Sequence, residues 1–210
     1  DRVQIKKYRE IATVPEVDQA ITDIISESIV TDISDPIRLN LDKLDQSDKI
    51  KKIFQEEFDN VLAMLSFNDH GHDIFRKWYI DGRLYYHIII DEANPKKGIL
   101  ELRPVESTQI TKVKEIEEEI DPKTQAKVVV GVNDYYVYHD EKTLSSSQGL
   151  KISKDAIIFV PSGLLSYKKD RVVGHLDKAI KPANQLRMME DALLIYRIAR
   201  APERRIFYID

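Results

Sequence analysis

The sequence predicts an α+β fold: a mixed helical and antiparallel β body over residues 1–174, one long helix over 175–203, and a β-like tail over 204–210. Three observations carry that expectation. Helical spacing of apolar residues dominates before residue 81, short β-branched and aromatic runs punctuated by turn residues dominate after it, and the stretch beyond Pro182 is apolar nearly all round a helix.

Residues 1–12 are polar, with Val3, Ile5, Tyr8 and Ile11 at mixed spacing, and no element is assigned there. Pro15 suits a helix start, and Val17, Ala20, Ile21, Ile24, Ile25 and Ile29 recur at three and four, predicting an amphipathic helix over 15–30 with its carboxylates in solvent. Residues 34–36 break it, and Ile37, Leu39 and Leu41 alternate with polar residues as in a half-buried strand. Ser47 or Asp48 then caps a helix running to about Phe67, striped by Ile50, Ile53, Phe54, Phe58, Val61, Leu62 and Leu65.

Asn68 to Asp73 holds His70 and His72 between aspartates, residue types that ligate zinc or manganese. No third ligand stands at a convincing spacing, so a helix–helix loop is preferred, with Gly71 as a left-handed stop and Asp73 capping a short helix over 74–80. Asp42, Asp45 and Asp48 lack the order of a calcium loop and are not assigned a metal. Leu84 to Ile90 reads as a strand covered on both faces, with His87 a core histidine, and residues 91–98 turn it back into a partner over 99–103. Strands follow at 111–116, 127–130 and 135–138, with the acidic run from Glu115 to Asp121 expected as a solvated loop rim. Residues 145–149 are expected as a loop, and Ile152 and Ala156 to Val160 as further short strands.

The long helix is expected to be kinked or restarted at Pro182 and to stop at Ala201-Pro202. A step of about 100° per residue puts Met188, Met189, Ala192, Ile195, Tyr196 and Ala199 on one arc, the expected core-facing stripe. The other half carries Arg187, Glu190, Asp191, Arg197 and Arg200 interleaved with Leu186, Leu193, Leu194 and Ile198. A purely solvated face has no need of those leucines, so that half calls for a second neighbour, either another domain or another copy of the chain. For Arg187 with Glu190 or Asp191, pairing within the helix is the competing expectation.

The run from Lys178 to Asp210, with Lys-Pro-x-Asn-Gln-Leu-Arg-Met-Met-Glu-Asp, then Ile-Tyr-Arg and Arg-Ala-Pro-Glu-Arg-Arg, resembles the stem-helix region of portal proteins of contractile-tailed bacteriophages. A second block, Phe75 to Asp91 followed by Pro95 to Arg103, resembles the same family. The resemblance implies a wing-like domain over 1–174, a stem-like helix over 175–203 and the start of a clip-like domain over 204–210, about the N-terminal half of such a protein. It implies a structural role without enzyme activity or cofactor: a ring, usually of twelve subunits, at one capsid vertex of the virion, assembled in the host cytoplasm. Its implied partners are other copies of itself, the major capsid protein, the terminase large subunit, neck and tail proteins, and double-stranded DNA passing without sequence-specific binding. Arg187, Glu190, Asp191, Arg197, Arg200, Arg204 and Arg205 become the candidate interface or channel residues.

Composition agrees. Lys plus Arg total 32 against 36 Asp plus Glu, a net charge of −4, which is no electrostatic glove for nucleic acid. There is no cysteine for disulfide or thiolate chemistry, no apolar run long enough for a membrane helix, and seven glycines that form no phosphate-cradling motif. The chain opens without methionine and closes just after a β-like run, so it is expected to be a piece of a longer protein. Two readings of other classes are kept as alternatives, a metal-dependent nuclease built on His70 and His72 and a nucleic-acid-binding module.

Overall fold

The computed structural model describes residues 2–29, 37–120, 127–140, 149–167, 171–200 and 208, with side chains left out at 117–120 and 127–130. Among the described residues, four helices come first: α1 (Arg2–Ala12), α2 (Pro15–Ser28), α3 (Asp48–Met64) and α4 (Phe67–Asp81). Six described strands follow, β1 (Arg83–Ile90), β2 (Ile99–Val105), β3 (Ile110–Ile120), β4 (Lys127–Tyr138), β5 (Leu150–Ser153) and β6 (Ile157–Pro161), and then the long helix α5 (Ile180–Arg200). The strands form two antiparallel sheets, ordered β2-β1-β6 and β3-β4-β5. The mixed α+β class with a long terminal helix is therefore as the sequence predicts.

Two apolar clusters hold the body together. Tyr8, Ala12, Ile21, Ile25 and Leu176 form the first, with Phe75, Tyr79, Ile80 and Ile180 packed around them, so α1, α2, α4 and the foot of α5 share one core. Tyr85, Ile110, Tyr136 and Ile157 form the second, between the two sheets, where the Tyr85 ring stacks on Phe159 at 5.0 Å and meets Tyr136 edge-on at 6.0 Å. Burying such side chains contributes about 1.5–3 kcal/mol each. Polar links tie the helices down. Arg9 grips the buried Asp81 carboxylate with two bonds, 2.9 and 2.6 Å, and reaches Glu106 at 2.5 Å, and Arg76 pairs with Asp18.

Several expectations are corrected. Residues 2–12, left without an element, are a helix, because Ile5, Tyr8 and Ala12 fall on one face and are buried. Residues 37–41 are not a strand. Among the described residues no strand pairs with them, and Asn40 Oδ1 accepts the amide of Asp42 in a local turn. The expected loop over 68–73 is helical: the corner falls earlier, at Ser66 with φ 46, and α4 runs unbroken from Phe67. Gly71 is not a stop; it lies under the Phe67 ring, which a Cβ there would meet at 2.9 Å. The acidic run is not a loop rim through Ile120, since Glu115 to Ile120 pair with β4. The separate strands at 127–130 and 135–138 are one. At Gly131 the register shifts, Glu117 opposing Gly131 and Glu118 opposing Val129, so a bulge stands where a break was read. Residues 121–126, 141–148 and 201–207 lie outside the described residues, and with them Asp121, most of the expected 145–149 loop, Arg204, Arg205 and most of the expected tail strand.

Helix α4 ends at Gly82 in the left-handed conformation, φ 71, and there the chain returning toward α5 crosses it. A Cβ on Gly82 would lie 2.5 Å from Gly174 Cα, and one on Gly174 would lie 2.8 Å from the Tyr8 ring. Two backbones touch at a point that tolerates no side chain. From Gly174 a 3-10 turn (His175–Ala179) leads into α5. Pro182 sits in the first turn of α5, where a missing N–H costs nothing, so the helix restarts instead of kinking. Asp177 accepts from the Tyr8 hydroxyl at 2.8 Å and from Gln4 Nε2 at 2.6 Å, and the Gly174 amide donates to the Tyr8 oxygen at 3.3 Å.

Gly82→Ala is expected to cost about 2–4 kcal/mol in urea unfolding, strain and clash together. Gly98→Ala, at φ 79 with nothing within 4 Å of a Cβ, should cost only about 1 kcal/mol. Burial, followed by the hydrogen bond to Asp177, pushes the Tyr8 hydroxyl up to about 12. A raised folded-state value means that stability is complete below pH about 10, the unfolded value, and falls as the pH climbs toward 12. Tyr8→Phe should flatten part of that alkaline slope, the remainder belonging to Tyr85, Tyr86 and Tyr136, whose hydroxyls burial also raises.

Candidate functional site

The foot of α5 is built from aromatic and polar groups that the sequence scatters over three helices. His175 stacks face to face on Tyr79 at 4.7 Å and lies 5.0 Å from Trp78, while Leu176 drops into the first core. Burial against these rings holds the His175 imidazole below its ordinary value, so it is neutral at pH 7 and packs as an aromatic plate. The cluster of Phe75, Trp78 and Tyr79 is thus the socket of the helix.

Past Ala183, the last buried residue, every side chain of α5 is exposed as far as Arg200. The arc expected to face the core does not: Met188 is 70% exposed, Met189 62% and Ile195 67%. The reason is reach. About 25 Å of helix, at roughly 1.5 Å per residue, extends beyond Ala183, where the body ends. The opposite half is equally bare, with Leu193, Leu194 and Ile198 each more than half exposed. The helix is a rod with apolar side chains all round and body contact only at its foot.

The candidate residues lie on this rod as the sequence places them. Arg187, Asp191, Leu194 and Ile198 fall on one strip and Leu186, Glu190, Leu193 and Arg197 on the next. Among the described residues, Arg187, Glu190, Asp191 and Arg197 form no salt bridge within 4.0 Å, so the expected pairing of Arg187 with Glu190 or Asp191 inside the helix is not made. Arg200 lies over the Tyr196 ring at 4.5 Å, one turn away. A second helix is bare in the same manner: α3 leaves Ile50, Ile53 and Phe54 exposed along its first half.

The histidine pair does not assemble. On α4, His70 and His72 are about 200° apart around the axis and project to different sides. Among the described residues no three His, Cys, Asp or Glu side chains converge on a metal-sized site. His87 is half-buried in β1, its Cα opposite Arg103 and Ile157. A cleft of about 480 Å³ opens between the α3–α4 corner and β1–β2, lined by Met64, Leu65, Tyr86, Leu102 and Pro104 with His70, Asp73 and Lys77 among its polar groups. It lacks a nucleophile–base pair within bonding distance. No described helix is long and apolar enough to cross a membrane.

Sequence reading missed the residues that hold the rod, Gln4, Tyr8 and Asp177. The signal was present in the spacing of Ile5, Tyr8 and Ala12, one helical stripe in an otherwise charged segment.

The whole chain, residues 1–210, matches the family model described as bacteriophage T4-like portal protein (Gp20). It is 46% identical to the portal protein of Vibrio phage KVP40, over 98% of this chain and 42% of that protein. To the portal protein of Salmonella phage ViI it is 33% identical, over 98% of this chain and 40% of that one. The chain thus spans about two-fifths of the length of these curated relatives. With a full-length family match on a rod-bearing α+β body, the chain belongs to the T4-like portal protein family.

Proposed function

We propose that the chain is the N-terminal part of a structural subunit that assembles as a ring at one capsid vertex, its rods standing side by side around a channel for double-stranded DNA. In this reading residues 1–174 form the wing, 175–203 the stem helix and 204–210 the entry to the clip. The terminase that drives packaging, the major capsid protein and the neck and tail proteins attach to the finished ring, and no covalent chemistry falls to it. The ring has twelve subunits and ends as part of the virion after assembly in the host cytoplasm.

One observation carries the reading: a rod with apolar side chains all round and body contact only at its foot. Such a surface in water is unfavourable by about 25 cal/mol per Å², and neighbours on both flanks remove the cost. A heterologous contact repeated around a closed rotation supplies those neighbours, each rod presenting one side to the subunit before it and another to the subunit after it. Arg187, Glu190, Asp191, Arg197 and Arg200, set among leucines, then pair across subunits, because buried apolar contacts give the affinity and opposite charges fix the register. Arg204 and Arg205, which follow in the sequence, belong to the same proposed set of interface or channel residues. The net charge of −4 suits a channel along which DNA slides without sticking. Among the described residues no metal-sized cluster supports the nuclease alternative.

Mass photometry and negative-stain imaging of the full-length protein test the reading. Rings with a central hole are expected, and a Leu194→Glu, Ile198→Glu double variant should leave the subunit folded while reducing ring formation at least tenfold. A compact monomer in the parent protein would contradict it.

A further inference from the structure

The direction in which the rod leaves the body is decided over very few residues. Before Gly174 the chain is pinned: Arg83 Nη2 donates to the Val172 carbonyl at 2.5 Å, Ser162 Oγ to the Val173 carbonyl at 2.6 Å, and the Val173 amide to Leu164 O at 3.0 Å. After Ala183 no side chain of the rod is buried. Between these points lies the 3-10 turn, whose contacts are of two kinds.

The apolar ones are Leu176 in the core, His175 against Tyr79, and Ile180 and Ala183 in the first turn of α5, and the apolar burial that holds them is non-directional. The directional ones come from α1. A single oxygen, Asp177 Oδ1, receives both the Tyr8 hydroxyl and the Gln4 amide, and the Tyr8 oxygen takes the Gly174 amide in turn. Helix α1 is itself fixed to the body by the two-bond grip of Arg9 on Asp81. A hydrogen bond loses most of its strength when misaligned, so these three bonds fix an angle that packing alone leaves soft.

We propose that Asp177 is a positioning residue, the catch of a latch between α1 and the 3-10 turn that sets the angle of the rod. With the catch closed, the rod leaves the body in one direction. With it open, the turn pivots at Gly174, where the pinned segment ends, and the helix swings as a rigid arm whose length of about 25 Å turns a few degrees at the foot into ångströms at Arg200. The rod thereby becomes a movable element governed from the first eight residues of the chain. This assignment concerns the isolated subunit and does not require that it assembles.

The absence of cysteine allows a clean test. Nitroxide labels at Lys154→Cys on the body and Ala199→Cys near the tip of the rod, in chain diluted with unlabelled protein, report the distance distribution by pulsed electron resonance. The parent should give one narrow distance, and Asp177→Asn, which keeps the Oδ1 acceptor, should stay narrow. Asp177→Ala and Tyr8→Phe should each widen the distribution at least twofold; Tyr8→Phe keeps its ring in the core and serves if Asp177→Ala does not fold. A residue that merely stabilises the body would lower the melting temperature without widening the distribution. An unchanged width in the folded variants, or a parent already as wide, would overturn the latch.

Discussion

A helix that is apolar on every side, held by its body at the foot alone, is the constraint on which this structure turns. By itself such a segment is poorly placed in water. An isolated helix of this length draws little stability from backbone hydrogen bonds alone and relies on packing an apolar face. Here the body supplies packing for Ile180 and Ala183 and then stops. The remaining surface is exposed, and in the proposed ring the interleaving of Arg187, Glu190, Asp191 and Arg197 with leucines would give the contact between neighbours a register as well as an affinity.

The rest of the body serves to hold the foot. Gly82 and Gly174 bring two backbones into contact where any Cβ would intrude, which lets the returning chain cross the end of α4 and start the rod from the first core. The Arg9–Asp81 grip fixes α1, α1 fixes Asp177, and Asp177 fixes the turn. Bonds to charged groups, worth about 1.5–3 kcal/mol, stand at each step where direction matters, and aromatic packing stands where only burial matters. Nothing comparable exists at the cleft or around His70 and His72, where polar groups are present without the convergence that chemistry requires.

Much of this was legible in the sequence, for identifiable reasons. The helix over 15–28 announces itself by its period and the strand from Leu84 by a short continuous apolar run, and Asp81-Gly82 ends α4 as turn chemistry dictates. The rod was legible as a helix needing company, but its two faces were not. Sequence periodicity says that Met188, Met189 and Ile195 are apolar together; it does not say where the body ends, and the body ends before them. The 68–73 segment misled because Gly, Asn and Asp are strong local breakers, while the Phe67 ring over Gly71 is a tertiary contact with no local trace. Likewise α1 hid behind its charges, and with it the Tyr8–Asp177 bond, which joins residues 169 apart.

The most direct measurement is the reactivity of single cysteines along the rod, placed at Met188, Leu194 and Ile198 of the full-length protein, compared between the dissociated subunit and the assembled state. The account predicts rapid labelling at all three in the subunit and protection of at least tenfold at all three after assembly. Equal labelling in the two states would mean that the rod stays bare, and would contradict the claim that it exists to be covered by its neighbours.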